Sequence, residues 1–177
     1  FLPDVSKQPT DSNPMSSPTT AREGGRPFFL MVGRLEKSKG FQRVIQVFKH
    51  FTGADLVIVG TGQFEQELRA MATGLDHIRF LGLMNYETLI EFYRSATAVI
   101  VPSIWFEPFG LIVIEAYAQR TPVIVNNAGA LPELIEVSAG GIAYNDDTGL
   151  LHAIERLIRE PDYRNELGQN GYNAYLQ

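Results

Sequence analysis

From Phe28 onward the chain alternates short apolar runs with amphipathic stretches. The runs are FFLMV at 28–32, DLVIVG at 55–60, HIRFLG at 77–82, TAVIVP at 97–102, PVIVN at 122–126 and GGIAY at 140–144. Each predicts a strand, and their continuous apolar character is what a sheet covered on both faces requires. Between the first two, Phe41, Val44, Ile45, Phe48 and Phe51 recur at helical spacing. Phe64, Leu68, Met71 and Ala72 repeat that spacing after the second run. Tyr86, Leu89, Ile90 and Tyr93 do so after the third, behind an N-cap candidate at Asn85. Leu150, Leu151, Ile154, Leu157 and Ile158 follow the last run, and Pro161 stands where a further helix would begin. Strands alternating with helices predict an α/β fold: a doubly wound, Rossmann-like parallel sheet with helices on both faces.

Residues 1–26 break this pattern. Rich in Pro, Ser, Thr and Asp, they hold too little apolar surface to offset the entropy of ordering and read as a linker or the remnant of an interdomain connection, leaving 27–177 as the folded domain. The chain begins without Met, which fits a piece of a longer protein. Its 177 residues suit one domain of ordinary size, and a formal charge of −5 argues against a general affinity for nucleic acid or an anionic membrane. The absence of cysteine removes disulfides, thiolate nucleophiles and cysteine-bound zinc, which fits a cytoplasmic protein. His50, His77 and His152 form no metal spacing, no apolar run is long enough to span a membrane, and the start has no signal-peptide pattern.

Ligands of doubly wound sheets bind beyond the carboxyl ends of the strands. The loops expected there are Gly33 to Gly40, Gly60-Thr61-Gly62, Leu81-Gly82, Ser103 to Gly110 and Asn127 to Leu131. The stretch Pro102 to Pro122 carries the sharpest anomaly. It predicts a strand end, a loop with Trp105, Phe106 and Glu107, and then, through Phe109-Gly110, a helix apolar on all sides and therefore buried. Its carboxylate, Glu115, costs free energy in such company unless it has a partner or a purpose. The helix start offers unpaired N–H groups and the positive end of a dipole, a natural phosphate site. Glu115 lies roughly 8 Å along the axis from the first turn, so Glu107 and Glu115 could flank one diphosphate and accept hydrogen bonds from hydroxylated rings on either side. That describes a nucleotide sugar. The other reading makes Glu107 a solvated loop residue and Glu115 a charge tolerated near a helix N-terminus.

Arg34 and Lys39 in the first loop suit phosphate oxygens, although solvated charge is the commoner role for such residues. Gly60-Thr61-Gly62 follows a strand and precedes a helix, but Glu65 occupies the place of the third glycine of a dinucleotide fingerprint, so NAD binding is weakly supported. Trp105 and Phe106 shield the site or pack beneath the loop. Asn126, Asn127 and Glu133 read as turn and cap residues. No Ser/His/Asp set is arranged for nucleophilic catalysis.

Taken in order, GRLEKSKG, VGTG, FLG, EPFGLIVIEA, TPVI and ALPELI resemble the nucleotide-sugar-binding C-terminal domain of the GT-B glycosyltransferases of family 4, the glycosyl transferases group 1, over about residues 28–175. The resemblance implies transfer of a hexosyl group from a nucleotide-diphosphate sugar (UDP-, GDP- or ADP-linked) to a glycan or lipid-linked acceptor, with retention and without metal or other cofactor. It implies that Arg34 and Lys39, after Gly33, grip the diphosphate, that Glu107 holds the donor sugar and that Glu115 holds the ribose. Phe109, Gly110 and Leu111 would contact sugar and phosphate, and Gly62, Arg79 and Leu81 would lie near the phosphates and base. Catalysis would fall to Glu107, Arg34 and Lys39. The family also has an acceptor-binding N-terminal domain to which nothing in these residues corresponds, so this chain is expected to bind donor and transfer little; membrane association would come from that other half. Two departures are Arg120, at a usual glycine, and Gly129-Ala130, at a usual double glycine. A regulatory nucleotide-binding module and a Rossmann NAD domain are the competing functions.

Overall fold

The computed structural model describes residues 25–104 and 110–177. Most of the expected linker, residues 1–24, lies outside them. Six strands, β1 (Phe28–Val32), β2 (Asp55–Val59), β3 (Ile78–Gly82), β4 (Ala98–Val101), β5 (Val123–Asn126) and β6 (Gly141–Tyr144), form one sheet in the order β3-β2-β1-β4-β5-β6. Every pairing is parallel, as the continuous apolar runs imply. Chain order reverses between β1 and β4, and a crevice opens at the carboxyl end of such a switch point.

Among the described residues seven helices cover the sheet: α1 (Phe41–His50), α2 (Glu65–Met71), α3 (Tyr86–Ser95), α4 (Leu111–Ala118), α5 (Leu131–Ser138), α6 (Asp147–Arg159) and α7 (Pro161–Tyr175). Successive strand residues point to opposite faces, so the sheet divides the core in two. Phe29, Met31, Leu56, Ile58 and Ile100 pack with Phe41, Val44, Ile45 and Phe48 of α1 and with Leu150, Ile154 and Leu157 of α6. Leu30, Val57, Val59, Val99 and Val123 pack with Phe92 and Tyr93 of α3, Val113, Ala116 and Tyr117 of α4, and Ile135 of α5. Each such buried side chain contributes about 1.5–3 kcal/mol relative to exposure.

Asn85 caps α3 as expected, its Oδ1 accepting the Thr88 N–H at 2.8 Å. Asn85→Ala is predicted to lower stability by about 1 kcal/mol. Urea unfolding checks this; an unchanged midpoint would mean that water replaces the cap at no cost.

Two elements differ from the periodicity. Helix α5 went unmarked although Leu131, Leu134, Ile135 and Ser138 stand at i, i+3, i+4 and i+7; it is only eight residues long and Ser138, at the end of the stripe, is polar. Helix α4, expected to be buried on all sides, leaves Leu111 65% and Ile114 41% exposed among the described residues. It presses Val113, Ala116 and Tyr117 onto the sheet, and one layer of helix cannot cover its own outer side. The far end of α4 is anchored where the Tyr117 hydroxyl and Ser138 Oγ lie 2.7 Å apart. Burial pushes the Tyr117 phenol up to about 12, only partly offset by that hydrogen bond. Arg120, just beyond α4, adopts φ 56, the left-handed conformation that glycine would take freely, and its guanidinium stacks over Tyr172 at 4.0 Å.

Candidate functional site

The loops at the carboxyl ends of β1, β2 and β4 are stitched together by backbone contacts. Gly33 N–H donates to Val59 O at 3.0 Å, Leu35 N–H to Thr61 O at 2.9 Å, and Phe64 N–H back to Leu35 O at 2.9 Å. A side chain at Gly60 would overlap the carbonyl of Gly33, and one at Gly62 would lie 2.6 Å from Leu35 N. These two glycines are therefore required for loop-on-loop packing, which accounts for Gly-Thr-Gly without a dinucleotide. On the other side, Ile104 N–H donates to Ser38 O at 3.1 Å, tying the 3-10 turn Lys37–Lys39 to the loop after β4.

Helix α4 starts beside this assembly. Gly110 is its N-cap at φ 53, and Gly110 O accepts the N–H groups of Val113 at 2.8 Å and Ile114 at 3.1 Å. The N–H groups ahead of Val113 have no intrahelical acceptor, as at any helix start. Gly33 faces that turn: a Cβ there would sit 3.7 Å from Ile112 Cδ1. A cavity of about 280 Å³ opens alongside, lined by Gly33, Arg34, Gly60, Thr61, Leu83 and Met84 among others. Leu83, Met84 and Leu89 make much of this lining apolar, as suits a flat ring.

The charged candidates are placed differently from one another. Arg34 is exposed and pairs with Glu36 Oε1 at 3.3 Å. Lys39 is half-buried at the end of the 3-10 turn. Glu115, one turn inside α4, is half-buried and accepts a 2.7 Å hydrogen bond on Oε2 from the Tyr93 hydroxyl. The partner that its burial demanded is thus a phenol on α3, a residue the sequence had marked only as a core position. Burial chiefly, with the hydrogen bond to Glu115 and the charge of that carboxylate, pushes the Tyr93 phenol far above its usual range, so it remains the donor.

Other candidates lie elsewhere. Arg79 stands early in β3, its Nη2 3.7 Å from Asp55 Oδ2 at the start of β2, where Arg26 Nε also meets Asp55 at 2.6 Å. That cluster belongs to the amino end of the sheet, and the structure does not bring Arg79 to the loops. Leu81, later in β3, is half-buried and packs into the core on the α3–α4 face. Asn126 is no turn residue: it ends β5, buried, and its Nδ2 donates to Ser103 O at 3.0 Å. Asn127 Nδ2 donates to Asn145 Oδ1 at 2.6 Å, and Glu133 lies in the first turn of α5. Gly129 has φ 64 and Ala130 is the N-cap of α5, so the altered double glycine keeps its turn. Trp105, Phe106, Glu107 and Phe109 lie outside the described residues. Among the described residues no His, Asp or Glu group could hold a metal ion, and no helix is long and apolar enough to cross a membrane.

A parallel sheet in this strand order, with loops gathered at its switch point, defines a doubly wound α/β domain of the kind whose ligands bind in that crevice. The family model described as "Glycosyl transferases group 1" matches residues 15–174, and the chain belongs to that family. It is 34% identical over 150 residues to an uncharacterized glycosyltransferase of Methanocaldococcus jannaschii, covering 80% of this chain and 38% of that protein. Sucrose-phosphate synthase from Thermosynechococcus elongatus superposes with a TM-score of 0.75 at 29% identity, covering 85% of this chain and 41% of that one. The C-terminal domain of a glycosyl transferase group 1 family protein from Francisella tularensis gives 0.73 at 29% identity, with 84% of each chain covered. The fold is thus one half of a GT-B glycosyltransferase, and the chain spans less than half the length of its full-length relatives.

Proposed function

We propose that this chain is the donor-binding half of a retaining glycosyltransferase, taking a nucleotide-diphosphate sugar and passing its hexosyl group to a glycan or lipid-linked acceptor held by a further domain. The observation that carries this reading is that the Gly33 loop, itself packed on the Gly60 loop, faces the first turn of α4, with Glu115 fixed one turn inside that helix. In this arrangement Lys39, Arg34 and the α4 N–H groups receive the diphosphate, and Glu115 accepts from the ribose hydroxyls. Glu107, which precedes α4 in the sequence, orients the donor sugar. The chain's own contribution to catalysis is then preorganised positive potential for the departing nucleotide diphosphate, with no side-chain nucleophile required.

Calorimetric titration with UDP, GDP, ADP and NAD tests the reading. One nucleoside diphosphate is expected to bind at micromolar strength, about −8 kcal/mol, and Glu115→Ala to weaken it about tenfold or more, the loss of a charge-assisted hydrogen bond. NAD is expected not to compete. Failure of all three diphosphates to bind the full-length protein, or NAD binding in their place, would sink the proposal.

A further inference from the structure

We propose that Tyr93 is a positioning residue for the donor site, holding the Glu115 carboxylate in the rotamer that reads the ribose diol; this rests on the donor-binding reading above. Tyr93 is 1% exposed, yet its hydroxyl ends 2.7 Å from Glu115 Oε2. Its backbone is held as well: the fully buried Thr121 Oγ1 donates to Tyr93 O at 2.6 Å, tying the end of α3 to the chain entering β5. A further bridge joins α3 to the residue that ends α4, with Arg94 Nη2 donating to Gln119 Oε1 at 3.2 Å. The phenol therefore projects from a rigid base and reaches α4 from behind.

A free glutamate on a helix samples several rotamers and, left to itself, turns its charge toward water. One charge-assisted bond from a fixed donor removes that freedom. A carboxylate has about four lone-pair positions on two oxygens. With one position on Oε2 engaged by Tyr93, the carboxylate keeps acceptor capacity on both oxygens for a ligand. Two acceptor positions on one rigid plane match a pair of vicinal hydroxyls. Tyr93 thus sets ribose selectivity without touching the nucleotide, because preorganisation lowers the ordering cost of binding.

The test compares a ribonucleoside diphosphate with its 2′,3′-dideoxy counterpart, using whichever of UDP, GDP and ADP the chain binds. Tyr93→Phe deletes one oxygen, leaves ring packing intact and abandons only a carboxylate that solvent reaches, so the variant folds; thermal unfolding confirms this. The expected result is about tenfold weaker binding of the ribonucleotide, equivalent to about 1.4 kcal/mol, with dideoxynucleotide binding changed less than twofold. A merely structural role would weaken both alike, and that outcome, or no change in either, overturns the proposal. Glu115→Ala separates the two failures. If it erases the ribose preference while Tyr93→Phe does not, the donor site stands and the positioning role falls; if it leaves the preference intact, the donor-site reading fails and takes this inference with it.

Discussion

Gly40→Ala is expected to cost about 2–5 kcal/mol of folding stability, from about 1–2 for a left-handed residue with a side chain and about 1–3 for overpacking. Gly40 has φ 76, and a Cβ there would overlap the carbonyl oxygen of Pro102 and lie 2.9 Å from its carbon. Those are backbone atoms at the end of β4, so no rotamer change relieves the clash. Either the turn Lys37–Lys39 lifts or the loop after β4 moves, and in both cases the hydrogen bond from Ile104 N–H to Ser38 O is lost. Urea unfolding measures the cost, and a companion titration should show nucleoside diphosphate binding weakened in the folded variant. A loss below about 1 kcal/mol with binding intact would mean that the two loops are not rigidly coupled.

That coupling explains which parts of the molecule the sequence disclosed. Strands such as β1 and β2 are buried on both faces, through Phe29 and Leu56 on one and Leu30 and Val57 on the other, so their apolar runs were visible without knowing any contact. Helices α1 and α6 each press a repeated stripe onto the sheet and were visible for the same reason. Helix α5 carries a stripe of the same kind, Leu131, Leu134 and Ile135, but it spans little more than one turn and ends on the polar Ser138, so it was easily passed over. At the site, residue type and order pointed to Arg34, Lys39 and Glu115, because a helix start attracts anions whatever surrounds it. Partnerships were not legible. The Tyr93 hydroxyl meets Glu115 from 22 residues away on a neighbouring helix, and Arg79 turns to Asp55 because both sit at the amino end of adjacent strands. Spacing along the chain encodes neither contact.

The exposed side of α4 follows from similar reasoning. Leu111 and Ile114 are apolar, solvent-facing and beside the crevice, as are Ile104 and Leu83 in neighbouring loops. The periodicity argument took an all-apolar helix to be buried within its own domain. A helix at the mouth of a crevice in one half of a two-domain fold meets that requirement differently, since its outer face is available to the other half.

Lys39→Ala in the full-length protein is expected to lower kcat/KM for glycosyl transfer by about 10²–10³, the usual effect of deleting one preorganised donor to developing charge. Arg34→Ala should cost much less, about fivefold at most, although both residues belong to the same loop. The difference lies in their surroundings. Arg34 has 78% of its side chain exposed and shares its charge with Glu36 at 3.3 Å, so water and salt screen it. Lys39 is half-buried at the end of a turn whose carbonyl Ser38 O is fixed to the loop after β4, and a charge in such a setting acts through a lower effective dielectric. Raising ionic strength should therefore shrink the Arg34 effect and leave most of the Lys39 effect. Steady-state kinetics of both variants at two salt concentrations provide the check. If Lys39→Ala keeps turnover within twofold of the parent, the diphosphate is neutralised elsewhere, and the α4 N–H groups alone must carry the departing charge.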